Sequence, residues 1–127
     1  MKAGKIVSPS TAKYLYFTDS RDPLTVGVDK VGRVYLDFSG TIAEVQASVS
    51  TAPTGTNLIC DINYDGTTIW STQANRITIT AGTNTGIQTS FNTITVAAGH
   101  YFTFDIDQIG NTVAGSKISI RVKILLT

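Results

Sequence analysis

One stretch constrains the fold more than any other: Ala52 to Thr72, reading APTGTNLICDINYDGTTIWST. Leu58, Cys60 and Ile62 alternate with Ile59, Asp61 and Asn63. A period of two places successive side chains on opposite faces, which is the pattern of a β-strand with one buried side. Asp65-Gly66 then separates two strand-like runs. Both residues tolerate positive φ, so the pair predicts a tight hairpin. The stretch therefore reads as loop, strand, turn, strand.

The same logic extends along the chain. Val34, Leu36 and Phe38 alternate with Tyr35 and Asp37; Ala43, Val45, Ala47 and Val49 share one face of a strand over Thr41–Thr51. Further strands are expected at Leu24–Asp29, Arg76–Thr80, Thr89–Val96 and Tyr101–Gln108, and at the end, where Ile118, Ile120, Val122 and Ile124 alternate with polar residues. AGTNTG (81–86) reads as a loop. No window holds a helical period. About eight short strands with Gly and Pro turns predict an all-β domain, an antiparallel β-sandwich of jelly-roll type. With 127 residues the chain suits one domain, large enough to bury a core without disulfides or metal.

Residues 1–23 differ. Gly4, Pro9 and Pro23 interrupt them, and one apolar cluster, Tyr14-Leu15-Tyr16-Phe17, stands out. They read as an extended N-terminal arm before a sandwich over 24–127. The cluster must be buried somewhere, so Tyr14, Leu15, Tyr16 and Phe17 are candidate contacts either to the chain's own domain or to a neighbour.

Composition removes several functions. The formal net charge is +1, which leaves no basic footprint for nucleic acid, although Lys2, Lys5 and Lys13 make the start mildly basic. No run suggests a signal peptide, and none approaches the ~18 to 20 apolar residues of a membrane span. Charged residues are only 15% of the chain against a typical ~25%, a weakly charged globular composition and not a disordered one. The single cysteine, Cys60, reads as a small buried apolar residue; with no disulfide partner it fits assembly in a reducing cytoplasm, as it also fits extracellular proteins that lack disulfides.

Catalytic and metal chemistry lack their usual sets. His100 is the only histidine, so any nucleophile–histidine arrangement would need it, and it reads as a surface residue at a turn. One cysteine and one histidine cannot make a tetrahedral zinc site. Asp61-Ile62-Asn63-Tyr64-Asp65-Gly66 matches the first half of a calcium loop, but Thr72 stands where the bidentate acid belongs. Asp105 and Asp107 share a strand face at a spacing of about 6 to 7 Å, which glycoside hydrolysis could use; the solvent face of an amphipathic strand explains them as well. No enzyme activity, metal or cofactor is expected. Trp70 is the candidate glycan contact, weighed against burial in the core.

The segments APTGTNLICDINYDGTTIWST, RITITAG and AAGHYFTFDIDQIGNTVAGSKISIRVKI together resemble a β-sandwich domain of tailed-bacteriophage virion proteins. Asp61, Asn63, Gly66, Asp105, Asp107, Gly110 and Gly115 stand at the positions of its motif; His100 replaces an acid often found after the turn glycine. The likeness spans about residues 41–124. It implies a virion location, partners among the major capsid protein or other virion proteins, and a homotrimer. Its first functional implication is a capsid decoration (cement) protein anchored by the N-terminal arm. Its second is a tail or head-fibre module that recognises a host glycan.

Overall fold

The computed structural model describes residues 11–127. The ten strands are β1 (Ala12–Asp19), β2 (Val34–Tyr35), β3 (Gly40–Thr51), β4 (Leu58–Tyr64), β5 (Thr67–Thr68), β6 (Ile77–Ile79), β7 (Thr85–Gln88), β8 (Thr95–Val96), β9 (Tyr101–Gln108) and β10 (Ser116–Leu126). One 3-10 turn, Gln73–Asn75, precedes β6. The strands form two antiparallel sheets of a β-sandwich. The first runs β1-β10-β3-β7, with β8 also on β3; the second runs β2-β9-β4-β5, with β6 also on β4.

The alternation seen in the sequence builds the core. Val45, Ala47, Val49, Ile118, Ile120, Val122 and Ile124 face inward from the first sheet; Leu58, Cys60, Ile62, Phe102, Phe104 and Ile106 face inward from the second. Each fully buried Val, Leu, Ile or Phe side chain contributes roughly 1.5–3 kcal/mol relative to exposure. Cys60 sits on the core face as expected, and burial pushes its thiol well above its ordinary pKa.

Two β-bulges adjust the pattern. On β3 the register slips opposite Lys123 and Ile124, so Glu44 pairs with Lys123 but Ile42 with Ile124. The extra residue is Ala43, and Ile42 takes the core position that simple alternation assigns to Ala43. On β9 the slip lies at Asp107: Ile59 pairs with Gln108, and Cys60 with Ile106.

The arm boundary expected at residue 23 does not hold for the described residues. Ala12–Asp19 pairs along its full length with β10, from Ala12 opposite Leu125 to Asp19 opposite Ile118. The aromatic cluster is therefore a strand of the sandwich. In sequence its apolar residues form one patch, but strand geometry splits them between two faces. Residues 1–10, which carry Lys2, Lys5 and Pro9, lie outside the described residues.

Other boundaries shift. Leu24–Asp29 is not a strand; it touches β9 through one bridge, Gly27 to Ile106. Most of Thr89–Val96 is irregular, and the strand that pairs with β3 starts earlier, at Thr85 inside AGTNTG. Gly86 explains why a glycine-bearing segment takes that place: a Cβ there would collide with the carbonyl oxygen of Thr78 on β6. The two sheets approach each other backbone to backbone at this edge.

Candidate functional site

The outward side of β1 belongs to an open sheet face. Tyr14 and Tyr16 point outward and are 40% and 58% exposed, whereas Leu15 is half-buried and Phe17 is buried. Phe17 stacks on Phe104 of the opposite sheet with ring centroids 5.8 Å apart. Of the four contact candidates, Tyr14 and Tyr16 are the exposed ones, and Phe17 belongs to the core.

Across the sheet, register sets Tyr16 beside Arg121, Arg121 beside Gln46, and Gln46 beside Ile87. Arg121 donates from Nη2 to Oε1 of Gln46 at 2.6 Å and lies 3.4 Å from Oε1 of Glu44. Its guanidinium carbon is 4.9 Å from the Tyr14 ring centroid. Tyr16, Gln46, Ser48, Ser119 and Arg121 border a shallow depression of about 240 Å³. Ile87, 59% exposed, stands at the other side of the row. The face thus has apolar groups at both margins and a charge-assisted hydrogen-bond cluster between them. Amphipathic tyrosines flanking such a cluster are suited to protein contact.

The motif residues do a different job. Asp61 is 4% exposed although it lies on the outer side of β4. Thr68 donates its hydroxyl to Asp61, and Arg76 places Nε 3.6 Å from Asp61 and Nη1 2.9 Å from Asp107. Arg76 Nε also donates to the carbonyl of Trp70. This network holds the segment 67–76 down on the second sheet. Asn63 donates to Asp105 at 2.8 Å. Gly66 and Gly115 adopt positive φ, 86° and 101°, and a Cβ on Gly110 would strike the Val113 carbonyl. The half calcium motif is accordingly dispersed: Asp61 goes to Thr68 and Arg76, Asn63 to Asp105, and Asp65 to His100.

Asp61 makes the network pH-sensitive. Burial raises its carboxyl to about 6, with Asp107 and Asp105 adding to the rise and Thr68 and Arg76 opposing it. A carboxyl so raised binds its proton more tightly in the fold than in the unfolded chain, so its contribution is present at low pH and lost as pH climbs from about 4 to about 6. With solvent screening allowed for, the loss is on the order of 2 kcal/mol. Asp61→Asn keeps the acceptor for Thr68 and removes the titration. Denaturant melts at pH 4 and pH 8 should show the variant gaining about 2 kcal/mol on the parent between the two; parallel pH profiles would refute the assignment.

Trp70 is fully buried, so it is not a glycan platform. Its indole Nε1 donates to the Ser90 carbonyl at 2.7 Å, and Phe91 packs beside it at 5.8 Å. The alternation around Ile69 could not show this, because the loop 89–92 that covers Trp70 is remote in sequence. His100 donates from Nδ1 to Asp65 and stacks on Tyr64, tying the start of β9 to the hairpin turn; this hydrogen bond holds the Asp65 carboxyl below its ordinary pKa.

No family model matches the sequence. No curated protein matches it. Among solved structures, the chain is similar to a chain of the "Cyanophage Pam1 capsid asymmetric unit", with a TM-score of 0.60 and 11% sequence identity. The match covers 100% of this chain and 93% of that one. At that identity the likeness is one of fold.

Proposed function

We propose that this protein is a bacteriophage virion structural protein, a capsid decoration protein that binds the head through the outer face of the β1-β10-β3-β7 sheet. The observation that carries the reading is the end-to-end likeness to a chain of a cyanophage capsid asymmetric unit, which spans nearly the whole of both chains. The sequence motif of virion β-sandwiches supports it independently, because its residues work here as turn formers and as the Asp61–Arg76–Asp107 brace, which suits a durable part. Anchoring shifts from a free arm to Tyr14 and Tyr16, since Phe17 is part of the core. Three-fold assembly belongs to the same proposal, as a closed ring of copies gives each head site several weak contacts at once.

The test uses heads of the cognate phage assembled without this chain. The full-length protein should bind them in hundreds of copies, as judged by a stoichiometric gel; a few dozen copies would favour the fibre reading. Tyr14→Ala with Tyr16→Ala should melt like the parent and bind at least about tenfold more weakly, as expected for aromatic anchors at an interface. Undiminished occupancy would reject this face as the anchor.

A further inference from the structure

The second sheet carries a cleft that the decoration role does not use. Between the bridge Gly27–Ile106 and the pair Val34–Phe102, residues 28–33 stand opposite only residues 103–105 of β9. Lys30 N–H donates to the Phe104 carbonyl at 2.8 Å, and the rest of the segment, with Asp29 at φ 49° and Gly32 at φ 84°, forms one wall of the cleft through Val28, Asp29 and Arg33. Tyr101, Thr103 and Asp105 form the floor, and Asn63 and Gly66 the far side, around a volume of about 310 Å³. That is the lower end of the ~300–1,000 Å³ range of ligand sites.

The groups in the cleft are preorganised. Asp105 accepts from the backbone N–H of Asp29 at one oxygen and from Asn63 Nδ2 at the other, each at 2.8 Å. Arg33 lies 4.1 Å over the Tyr101 ring and donates from Nη1 to the Tyr35 hydroxyl at 3.1 Å. Tyr35, paired with Tyr101 in the ladder and tilted against its ring, is 57% exposed, and Val28 in the lining is 78% exposed. Among the described residues, the Asp29 carboxylate, the Thr103 hydroxyl and the Asn63 side-chain carbonyl have no hydrogen-bond partner.

The geometry points to a binding site for a neutral hexopyranose. Sugar hydroxyls donate and accept together, matching a carboxylate, an amide carbonyl, a hydroxyl and the spare N–H groups of Arg33. Adjoining the lining through Tyr101 and Arg33, the exposed Tyr35 ring offers a surface for the apolar C–H face of a pyranose. Two carboxylates against one guanidinium disfavour phosphate. Only Val28 and Tyr101 are apolar in the lining, too few for a hydrocarbon ligand. The inference stands apart from the capsid reading, since the cleft lies on the sheet opposite to Tyr14 and Tyr16.

Amide-resolved NMR titration of the full chain tests it, with methyl glucoside, methyl galactoside and methyl mannoside as probes and inorganic phosphate and methylamine as controls. At least one hexoside should give saturable shifts at Asp29, Arg33, Asn63 and Thr103, in the millimolar range. Arg33→Ala and Tyr35→Ala change exposed side chains; each should keep the parent melting temperature and weaken binding about tenfold or more. The proposal is overturned by the absence of saturable shifts with all three hexosides, by shifts that map elsewhere, by affinity unchanged in both variants, or by tighter binding of phosphate or methylamine.

Discussion

Deleting residues 1–19 should abolish cooperative unfolding of this domain. The excised segment includes all of β1, whose eight residues pair one to one with β10. Its loss would expose the edge of β10 and uncover core residues such as Ile118 and Ile120. It would also remove Phe17, which is buried against Phe104 and joins the two sheets. Asp19 goes with it, a buried carboxylate that accepts from the backbone and guanidinium of Arg21 at 3.1 and 2.8 Å. Phe17→Ala alone is expected to cost about 3–5 kcal/mol through lost transfer energy and the cavity left behind. That is a large part of the ~5–15 kcal/mol total stability of a typical domain. Far-UV dichroism during urea denaturation reads both variants. A truncated chain that still melts sharply near the parent midpoint would mean that β1 is a dispensable arm after all.

This expectation reverses what the sequence suggests, and the reason is specific. Lys13-Tyr14-Leu15-Tyr16-Phe17 is aromatic at three of five positions, so inward and outward residues look equally apolar. Period-two reasoning needs contrast between faces, and here it has none. In β4, β9 and β10 the contrast is strong, and their core faces were legible: Leu58, Cys60, Ile62, Phe102, Phe104, Ile106 and the four alternating residues from Ile118 to Ile124 are all buried. The Asp65-Gly66 hairpin was equally legible, because the chemistry of the turn is local; both residues have positive φ. Bulges were not. Nothing around Ala43 or Asp107 marks an extra residue, since the slip is defined by the partner strand. The surface sites were hidden for the same reason. Arg33, Asn63 and Asp105 come together only when the 28–33 wall closes over β9, and Tyr16, Arg121 and Gln46 only when three strands align.

Trp70→Ala should destabilise the fold by about 3–5 kcal/mol, the cost of emptying a fully buried aromatic site. Trp70 joins segments that no β-ladder connects. Its indole N–H donates to the Ser90 carbonyl, its backbone N–H donates to the Thr68 hydroxyl oxygen, and its carbonyl accepts from Arg76. Removing the ring leaves the Ser90 carbonyl without its donor and frees Phe91 from its packing partner. Trp70→Phe separates the two terms. It restores much of the volume but not the N–H, so it should lose only about 1–3 kcal/mol, the cost of one buried acceptor left unsatisfied. Because Trp70 is the only tryptophan, fluorescence reads the parent directly. Its emission should be blue-shifted and resist quenching by acrylamide until the domain unfolds. Ready quenching in native buffer would place the indole in solvent. That result would return Trp70 to the role of a glycan contact.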